Sequence, residues 1–353
     1  MKKLFSLFIS LFLALMVSAQ PANYYNSANG LTGNPLKMAL HNIIKDHSAI
    51  TYGQLWNAFW STDNKGNGVV WDMYSDRPNG NPPYIYYLGT DQCGNYNSEG
   101  DCYNREHSWP SSWFNDQNTP RTDLHHIFPT DGYVNNKRAN FPFGEVRSAS
   151  WTSQNGSKLG TCKTSGYSGT VFEPIDEYKG DFARALMYMS VRYYGEDSNW
   201  GSSDMTNKAE ILPWAIDMLM RWNEQDPVSQ KEIERNNAIY DDYQHNRNPF
   251  IDHPEYARMI WDPNWNTVEE SSEAVYLFPN PVEAGQTLRV SGNCNAFDAV
   301  AICDLSGRTL MKATGNAVGD LCIALPNSLA KGCYIVKLMC GNSVVKREKL
   351  LVK

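Results

Sequence analysis

The sequence has no second long hydrophobic run, no zinc-peptidase motif and no excess of positive charge. After the first 20 residues, no stretch is long and apolar enough to span a bilayer as a helix. It has no His-Glu-x-x-His motif and no cysteine pairs at the spacing of a zinc site, which argues against a zinc peptidase. The formal net charge of −7 argues against a protein that coats nucleic acid.

What is present indicates an exported protein with more than one domain. The 353 residues, of which 42% are hydrophobic, are enough for two packed domains. The chain begins with Lys2 and Lys3, continues with an apolar run, and then reads Val17-Ser18-Ala19. This pattern predicts a signal peptide at residues 1–19, cleaved after Ala19. The mature protein is therefore expected outside the cytoplasm, secreted or attached to the cell surface.

Export permits disulfide bonds. Cys93 and Cys102 flank a short loop rich in Gly, Asn and Ser, so they are either a disulfide or two free thiols. Cys162 has no obvious partner. The tail holds an odd number of cysteines, so its pairing cannot be deduced from the sequence. Those five residues are Cys294, Cys303, Cys322, Cys333 and Cys340.

Two short segments concentrate the residue types that phosphodiester hydrolysis requires. Residues 103–114 read YNREHSWPSSWF, and residues 123–140 read DLHHIFPTDGYVNNKRAN. Carboxylate and amide oxygens are ligands for a hard divalent cation. A neutral imidazole can take a proton from water, and arginine can hold a phosphate through two parallel contacts. Together these residue types predict metal-dependent cleavage of a phosphodiester.

Both segments, and a third at residues 244–255 (QHNRNPFIDHPE), resemble blocks of the bacterial endonuclease I family of ββα-metal (His-Me finger) nucleases. The resemblance covers residues 36–261 in patches, in the expected order. It implies an α+β fold with a ββα-metal core and surrounding helices. It also implies Mg²⁺-dependent (Mn²⁺ or Ca²⁺ being alternatives), largely nonspecific cutting of DNA, and in many members RNA, to 5′-phosphate ends.

The resemblance suggests roles for particular residues. His107 is expected to be the general base that takes a proton from the attacking water. Glu106 and Asn135 are expected to be the metal ligands, with Asn135 preferred over Asn136 and Asn140 because of its place in the matched block. Since neighbouring strand residues point to opposite faces, Glu106 or His107 must sit at a strand end or a bend if both serve one site.

Roles for the remaining residues of these motifs are less specific. Arg138 is expected to clamp a phosphate, with a salt bridge on a solvated face as the alternative. His126 stands where the family often has Asn, so it either orients the metal-bound water or supports Asn135. His125 is structural in one interpretation, and Asp123 is an orienting partner. The third motif either holds phosphate through Arg247 or locks the last helix onto the core, and we favour the second interpretation.

Hydrophobic patterns predict the remaining architecture. Helices are expected at residues 37–63, 180–194, 207–222 and 229–245, and strands at 69–74, 84–88, from 103 and at 124–128, where Pro129 ends the last strand. Residues 148–171 are expected to form an irregular surface excursion. The nuclease domain is predicted at residues 20–268, followed by a polar linker at 269–275.

Residues 276–353 alternate apolar and polar positions between Gly, Asn and Pro turns, which predicts short antiparallel strands. Their FPNPV, DLSGR and GCYIVKL elements resemble the C-terminal sorting domain of the type IX secretion system. That resemblance implies a small all-β sandwich whose partner is the secretion machinery. An accessory β-domain that binds substrate or cell wall is the alternative.

Two other functions compete with a nuclease. One is a different metal-dependent hydrolase, such as a phosphatase. The other is a noncatalytic surface protein that binds polysaccharide through its 11 Trp and 20 Tyr residues.

Overall fold

A computed structural model describes residues 20–262, 276–291, 299–304, 308–314, 321–340 and 343–353. The predicted signal peptide (1–19) and linker (269–275) lie outside the described residues. The chain divides into two compact units, Met1–Trp265 and Asn266–Lys353.

The described part of the first unit is mainly helical around three small antiparallel sheets. Its strands are β1 Tyr103–His107, β2 Ile127–Asp131, β3 Val146–Thr152, β4 Lys158–Cys162, β5 Thr170–Glu173, β6 Thr206–Asn207 and β7 Glu210–Ile211. Its α-helices are α1 Gly33–Ile44, α2 Leu55–Thr62, α3 Asn118–Arg121, α4 Gly132–Arg138, α5 Lys179–Arg192, α6 Pro213–Gln225, α7 Gln230–Ala238, α8 Pro249–Asp252 and α9 Tyr256–Trp261. β1 pairs with β2, β3-β4-β5 form one sheet, and β6 pairs with β7.

The predicted strand, strand, helix arrangement is present. β1 and β2 form an antiparallel pair in which Glu106 lies opposite Phe128 and His107 opposite Ile127. α4 begins directly after β2. β2 continues through Pro129, so the prediction that this proline ends the strand was wrong. A two-stranded sheet has a free edge, and a proline is tolerated there because its missing N–H need not join the ladder.

Three other predictions from the sequence differ from the structure. The helix expected at residues 37–63 is two helices, α1 and α2. They are separated by a local turn in which Thr51 N–H and Oγ1 donate to Gln54 Oε1 at 2.7 and 2.8 Å. Side-chain bonds of this kind compete with helix formation. Residues 69–74 and 84–88 form only isolated bridges, such as Val69 with Tyr87. Half of residues 148–171 lie in β3, β4 and β5, which form a sheet where an irregular excursion was expected. β3 is so exposed that it lacks an alternation of apolar and polar residues.

Two later helices also differ at their ends. α6 begins at Pro213, in the first turn, where the missing N–H costs no hydrogen bond. α7 begins with a reciprocal capping box between Ser229 and Glu232, and a π-helical segment, Ile239–Gln244, follows it. The helix predicted at 229–245 therefore changes type part-way.

The core of the first unit is organised around α5. Every residue of this helix is buried. Phe182 of α5 packs against Phe143, with ring centroids 4.5 Å apart, and against Phe128 of β2, at 5.8 Å. Through Phe128, the central helix directly supports the β1–β2 pair.

Cys93 and Cys102 form a disulfide, with their Cα atoms 5.7 Å apart. The bond closes the loop that leads into β1, so it braces the strand that carries Glu106 and His107. Of the other cysteines, Cys162, Cys303, Cys322 and Cys333 are free.

We expect the double substitution of Cys93 and Cys102 by Ser to lower the free energy of unfolding by roughly 2–3 kcal/mol, because a short closed loop restricts the unfolded chain. Urea unfolding of the variant and wild type would measure this difference. Cys322→Ser, which removes an exposed free thiol, is the control. An unchanged unfolding midpoint in the double variant would show that the disulfide contributes little.

The second unit, in its described part, consists of antiparallel strands. They are β8 Tyr276–Phe278, β9 Thr287–Ser291, β10 Ala299–Cys303, β11 Thr309–Thr314, β12 Leu321–Ala324, β13 Gly332–Cys340 and β14 Ser343–Val352. One sheet has the order β11-β10-β13-β14 and the other β12-β9-β8. Val290 of one sheet and Ile302, Val336 and Leu350 of the other share one core. The predicted β-sandwich and α+β class are confirmed.

Across all the residues that the structure describes, no helix has the length and hydropathy that a membrane span requires.

Candidate active site

Asp131, at the junction of β2 and α4, fixes the direction of the helix. Its Oδ1 accepts the Val134 N–H at 2.8 Å as a helix N-cap. Its Oδ2 accepts the Tyr86 hydroxyl at 2.6 Å and the Gly100 N–H at 2.9 Å. At Gly132 an added Cβ would lie 2.6 Å from the Tyr96 ring, so only glycine fits here without a shift. These contacts fix the start of α4 to the segment that precedes β1.

Glu106 lies on β1 and Asn135 lies on α4, the two elements that pack together here. Asn135 Nδ2 donates to the Arg105 carbonyl oxygen at 3.2 Å. Glu106 is 1% exposed, and its Oε1 accepts both the Tyr74 hydroxyl and Arg138 Nη1 at 2.9 Å. Burial raises the pKa of Glu106 to about 7, although Arg138 and Tyr74 oppose the shift.

The donor set fits a hydrated magnesium ion. Within the described part of the chain, no hydrogen bond reaches Oε2 of Glu106 or Oδ1 of Asn135, so each has one oxygen available. No group of three or more His, Cys, Asp or Glu side chains among the described residues could hold a metal. A closed zinc site needs such a group. Mg²⁺ keeps several waters and needs only one or two protein oxygens beside the substrate phosphate.

His107 is the last residue of β1, which is one of the two positions that the alternation argument required. Its Nε2 lies 3.1 Å from the Arg121 carbonyl oxygen. A carbonyl can only accept, so the neutral ring carries its proton on Nε2 and leaves Nδ1 as the basic nitrogen. Burial, the nearby His126 and the charges of Arg121 and Arg105 lower the pKa of His107 to about 3. The ring is therefore neutral at physiological pH, as a proton acceptor must be.

His126 lies behind His107, with ring centroids 5.5 Å apart. It is fully buried, its Nε2 is 2.7 Å from the Pro120 carbonyl oxygen, and burial lowers its pKa to about 4. His125 is also buried and packs on Tyr188, with ring centroids 4.5 Å apart. Buried rings cannot reach a solvent-supplied water, so we propose that both histidines support the site rather than take part in catalysis.

Asp123 is an orienting residue at the start of this segment. It is fully buried and accepts the hydroxyls of Tyr188 and Tyr193 at 2.9 and 3.0 Å and Gln244 Nε2 at 3.0 Å. Burial alone would raise its pKa, but the neighbouring histidines, His47 first, hold the pKa well below its usual range. The arrangement ties the segment before β2 to α5.

Arg138 was expected to clamp phosphate, but its guanidinium is already bound within the protein. It is 1% exposed. Its donors reach Glu106 Oε1 and the carbonyl oxygens of His107, Ser108 and Phe141 at 2.7–3.1 Å. The alternative, a salt bridge on a solvated face, is also wrong, because Arg138 is buried. We propose instead that Arg138 positions Glu106 and the end of β1.

Arg121 is a residue near the base that the sequence analysis missed. Its carbonyl holds His107, and its guanidinium carbon lies 4.5 Å from the Tyr52 ring centroid. It falls two residues before the second motif, at the end of the four-residue helix α3. Only the fold brings it to His107, so no local signal marks it.

The central residues of the third motif are buried and bonded within the protein. This agrees with the interpretation that the motif locks the last helix onto the core. Arg247 makes two parallel bonds to Asp252 at 2.7 Å. Asn248 caps α8 through Phe250 N–H and donates to the Arg184 carbonyl oxygen. Asn246 donates to the Ile44 carbonyl oxygen and to Tyr188. These buried bonds join the end of the unit to α1 and α5.

Comparison with known proteins identifies the family of this chain. Residues 32–255 match the family model described as endonuclease I. The chain belongs to the endonuclease I family. It is 41% identical over 251 residues to an extracellular ribonuclease of Bacillus amyloliquefaciens, covering 69% of this chain and 80% of that protein. It is 39% identical over 250 residues to an extracellular ribonuclease of Bacillus subtilis, with the same coverage.

This member of the endonuclease I family is also similar to a deoxyribonuclease. An extracellular deoxyribonuclease of Aeromonas hydrophila is 30% identical over 132 residues, covering 37% of this chain and 48% of that protein. Residues 276–353 match the secretion system C-terminal sorting domain. The chain is therefore a nuclease with a sorting tail, and it is secreted or attached to the cell surface. This excludes the noncatalytic polysaccharide-binding alternative.

Proposed function

We propose that this nuclease is a divalent-metal-dependent, sequence-nonspecific endonuclease that hydrolyses phosphodiester bonds of DNA and RNA to 5′-phosphate ends. The observation that carries the proposal is the neutral, oriented imidazole of His107. His107 is the last residue of β1. Glu106, directly before it, offers a free carboxylate oxygen.

In the proposed mechanism, Nδ1 of His107 takes the proton of the water that attacks phosphorus. The Arg121 carbonyl keeps the other ring proton on Nε2 and holds the ring in place. Glu106 and Asn135 would hold Mg²⁺, which would neutralise negative charge on the scissile phosphate and the departing 3′ oxygen. Arg138 and Tyr74 keep Glu106 in position at Oε1.

The proposal includes both DNA and RNA because of the named relatives. The two more similar ones are called ribonucleases and the third a deoxyribonuclease. We also propose that residues 1–19 are a cleaved signal peptide and that the tail engages the type IX secretion machinery.

The test is cleavage of supercoiled plasmid and of single-stranded RNA with Mg²⁺. We expect EDTA to abolish both activities and added Mg²⁺ to restore them. Cutting that persists in EDTA would contradict metal dependence, and no cutting with any divalent ion would contradict the proposal.

Asn135→Ala should raise the Mg²⁺ concentration for half-maximal rate by at least about tenfold, because even groups one step behind the metal ligands change affinity 10–100-fold. The matched control is Asn136→Ala, which removes an exposed amide from the same helix. The ligand assignment fails if the two variants need the same Mg²⁺ as wild type.

A further inference from the structure

Two positive charges lie against one ring beside His107. The guanidinium carbon of Arg105 lies 3.6 Å from the Tyr52 ring centroid, and that of Arg121 lies 4.5 Å from it. Among the described residues, no carboxylate forms an ion pair with either guanidinium. Like charges held together without a counterion favour a bound anion.

Of these two arginines, Arg121 has fewer contacts within the protein. Arg105 donates from Nη1 to the Tyr52 carbonyl oxygen at 2.9 Å and contacts Trp56 as well. In the described part of the first unit, only Arg121 and Arg147 have guanidinium groups with no hydrogen-bond acceptor. Arg147 is exposed to water, whereas Arg121 is half-buried. No guanidinium nitrogen of Arg121 is sealed from solvent, so its donors are available to a bound anion.

Arg121 also lines a groove next to the base. The groove has a volume of about 310 Å³ and is formed by residues 49–52 and by residues 118, 119, 121 and 122. Tyr52, in its wall, stacks near the His107 ring with centroids 6.2 Å apart and planes 19° apart. Asn118 and Thr119, on the opposite wall, are exposed polar residues. The exposed surface of the groove is mainly apolar, and Arg121 is the one charged residue in its lining. Tyr52 connects this lining to the His107 ring.

We propose that this groove holds the nucleotide next to the scissile bond and that Arg121 binds its phosphate. The inference rests on the proposed function, because it assigns part of the same substrate strand to a place on the protein. A guanidinium fits a phosphate through two parallel N–H donors. In an acidic chain, this site supplies a local positive charge that net charge alone would not predict.

The test measures binding without cleavage. The full chain, in EDTA, is titrated into short fluorescein-labelled single-stranded DNA and RNA of the same sequence at several salt concentrations. Arg121→Ala is expected to weaken binding roughly tenfold, as the loss of a charge-assisted contact does. It should also lower the slope of log K against log salt by roughly 0.7, the value for one phosphate contact on a single strand. Arg147→Ala is the matched control, since it removes an exposed guanidinium from the same unit.

Arg121→Lys separates charge from geometry and guards against misfolding. It should keep the salt slope, because the charge remains, but cleave more slowly in Mg²⁺ because one of the two parallel contacts is lost. Equal affinity and slope for Arg121→Ala and wild type would overturn the inference, as would equal losses in Arg121→Ala and Arg147→Ala. If the wild type cleaves in Mg²⁺ and Arg121→Ala binds and cleaves equally well, only the phosphate site at Arg121 is rejected. Absence of wild-type cleavage would reject the proposed function as well.

Discussion

His107→Ala is expected to lower the cleavage rate by roughly two to four orders of magnitude, the usual contribution of a general base. The neutral ring is oriented by the Arg121 carbonyl and has its basic Nδ1 free for the attacking water. Replacing it with alanine removes the proton acceptor but leaves Glu106, Asn135 and the groove in place. Binding of labelled DNA in EDTA should therefore stay within a few fold of wild type.

Two histidine controls make this result specific. His253→Ala removes a part-exposed ring that pairs with Glu255, and its rate should match wild type. His126→Asn replaces the buried ring with the residue that the family often has there, and we expect it to retain most of the activity. If His107→Ala cut normally and His126→Asn lost its activity, the base would be His126.

The ββα arrangement and the positions of Glu106, His107 and Asn135 on it could be predicted because these residues are close together in the sequence. Glu106 and His107 are neighbours, and Asn135 follows in the helix that begins directly after β2. A motif of contiguous residues carries this information. The strand-alternation argument also identified the right constraint, since His107 proved to be the last residue of β1.

The environments of the arginines could not be predicted, because they depend on backbone groups distant in sequence. Arg138 is fixed by the carbonyls of His107 and Ser108, about thirty residues earlier in the chain. Arg121 reaches the site through its own carbonyl, which no sequence pattern reveals. Strand β3 was missed for a different reason: with most of its residues exposed, it shows no alternation of apolar and polar positions.

Arg138→Ala is expected to lower the free energy of unfolding by about 3–5 kcal/mol, the usual cost of removing one partner of a buried ion pair. Glu106 would be left buried without its cation, and the His107 and Ser108 carbonyls without their donor. In a unit of this size the melting temperature should fall by on the order of ten degrees. Differential scanning calorimetry would measure this fall, with Arg147→Ala as the control that removes an exposed charge.

The double variant Glu106→Gln with Arg138→Met distinguishes positioning from phosphate binding. Removing both charges of a buried pair costs less than removing one, so this variant should recover part of the lost stability. It should remain inactive, because the metal-ligating carboxylate is gone. A phosphate clamp would behave differently: Arg138→Ala would then weaken binding of labelled DNA and lower its salt slope, with the melting temperature unchanged. That outcome would return Arg138 to the substrate surface and leave Glu106 held by Tyr74 alone.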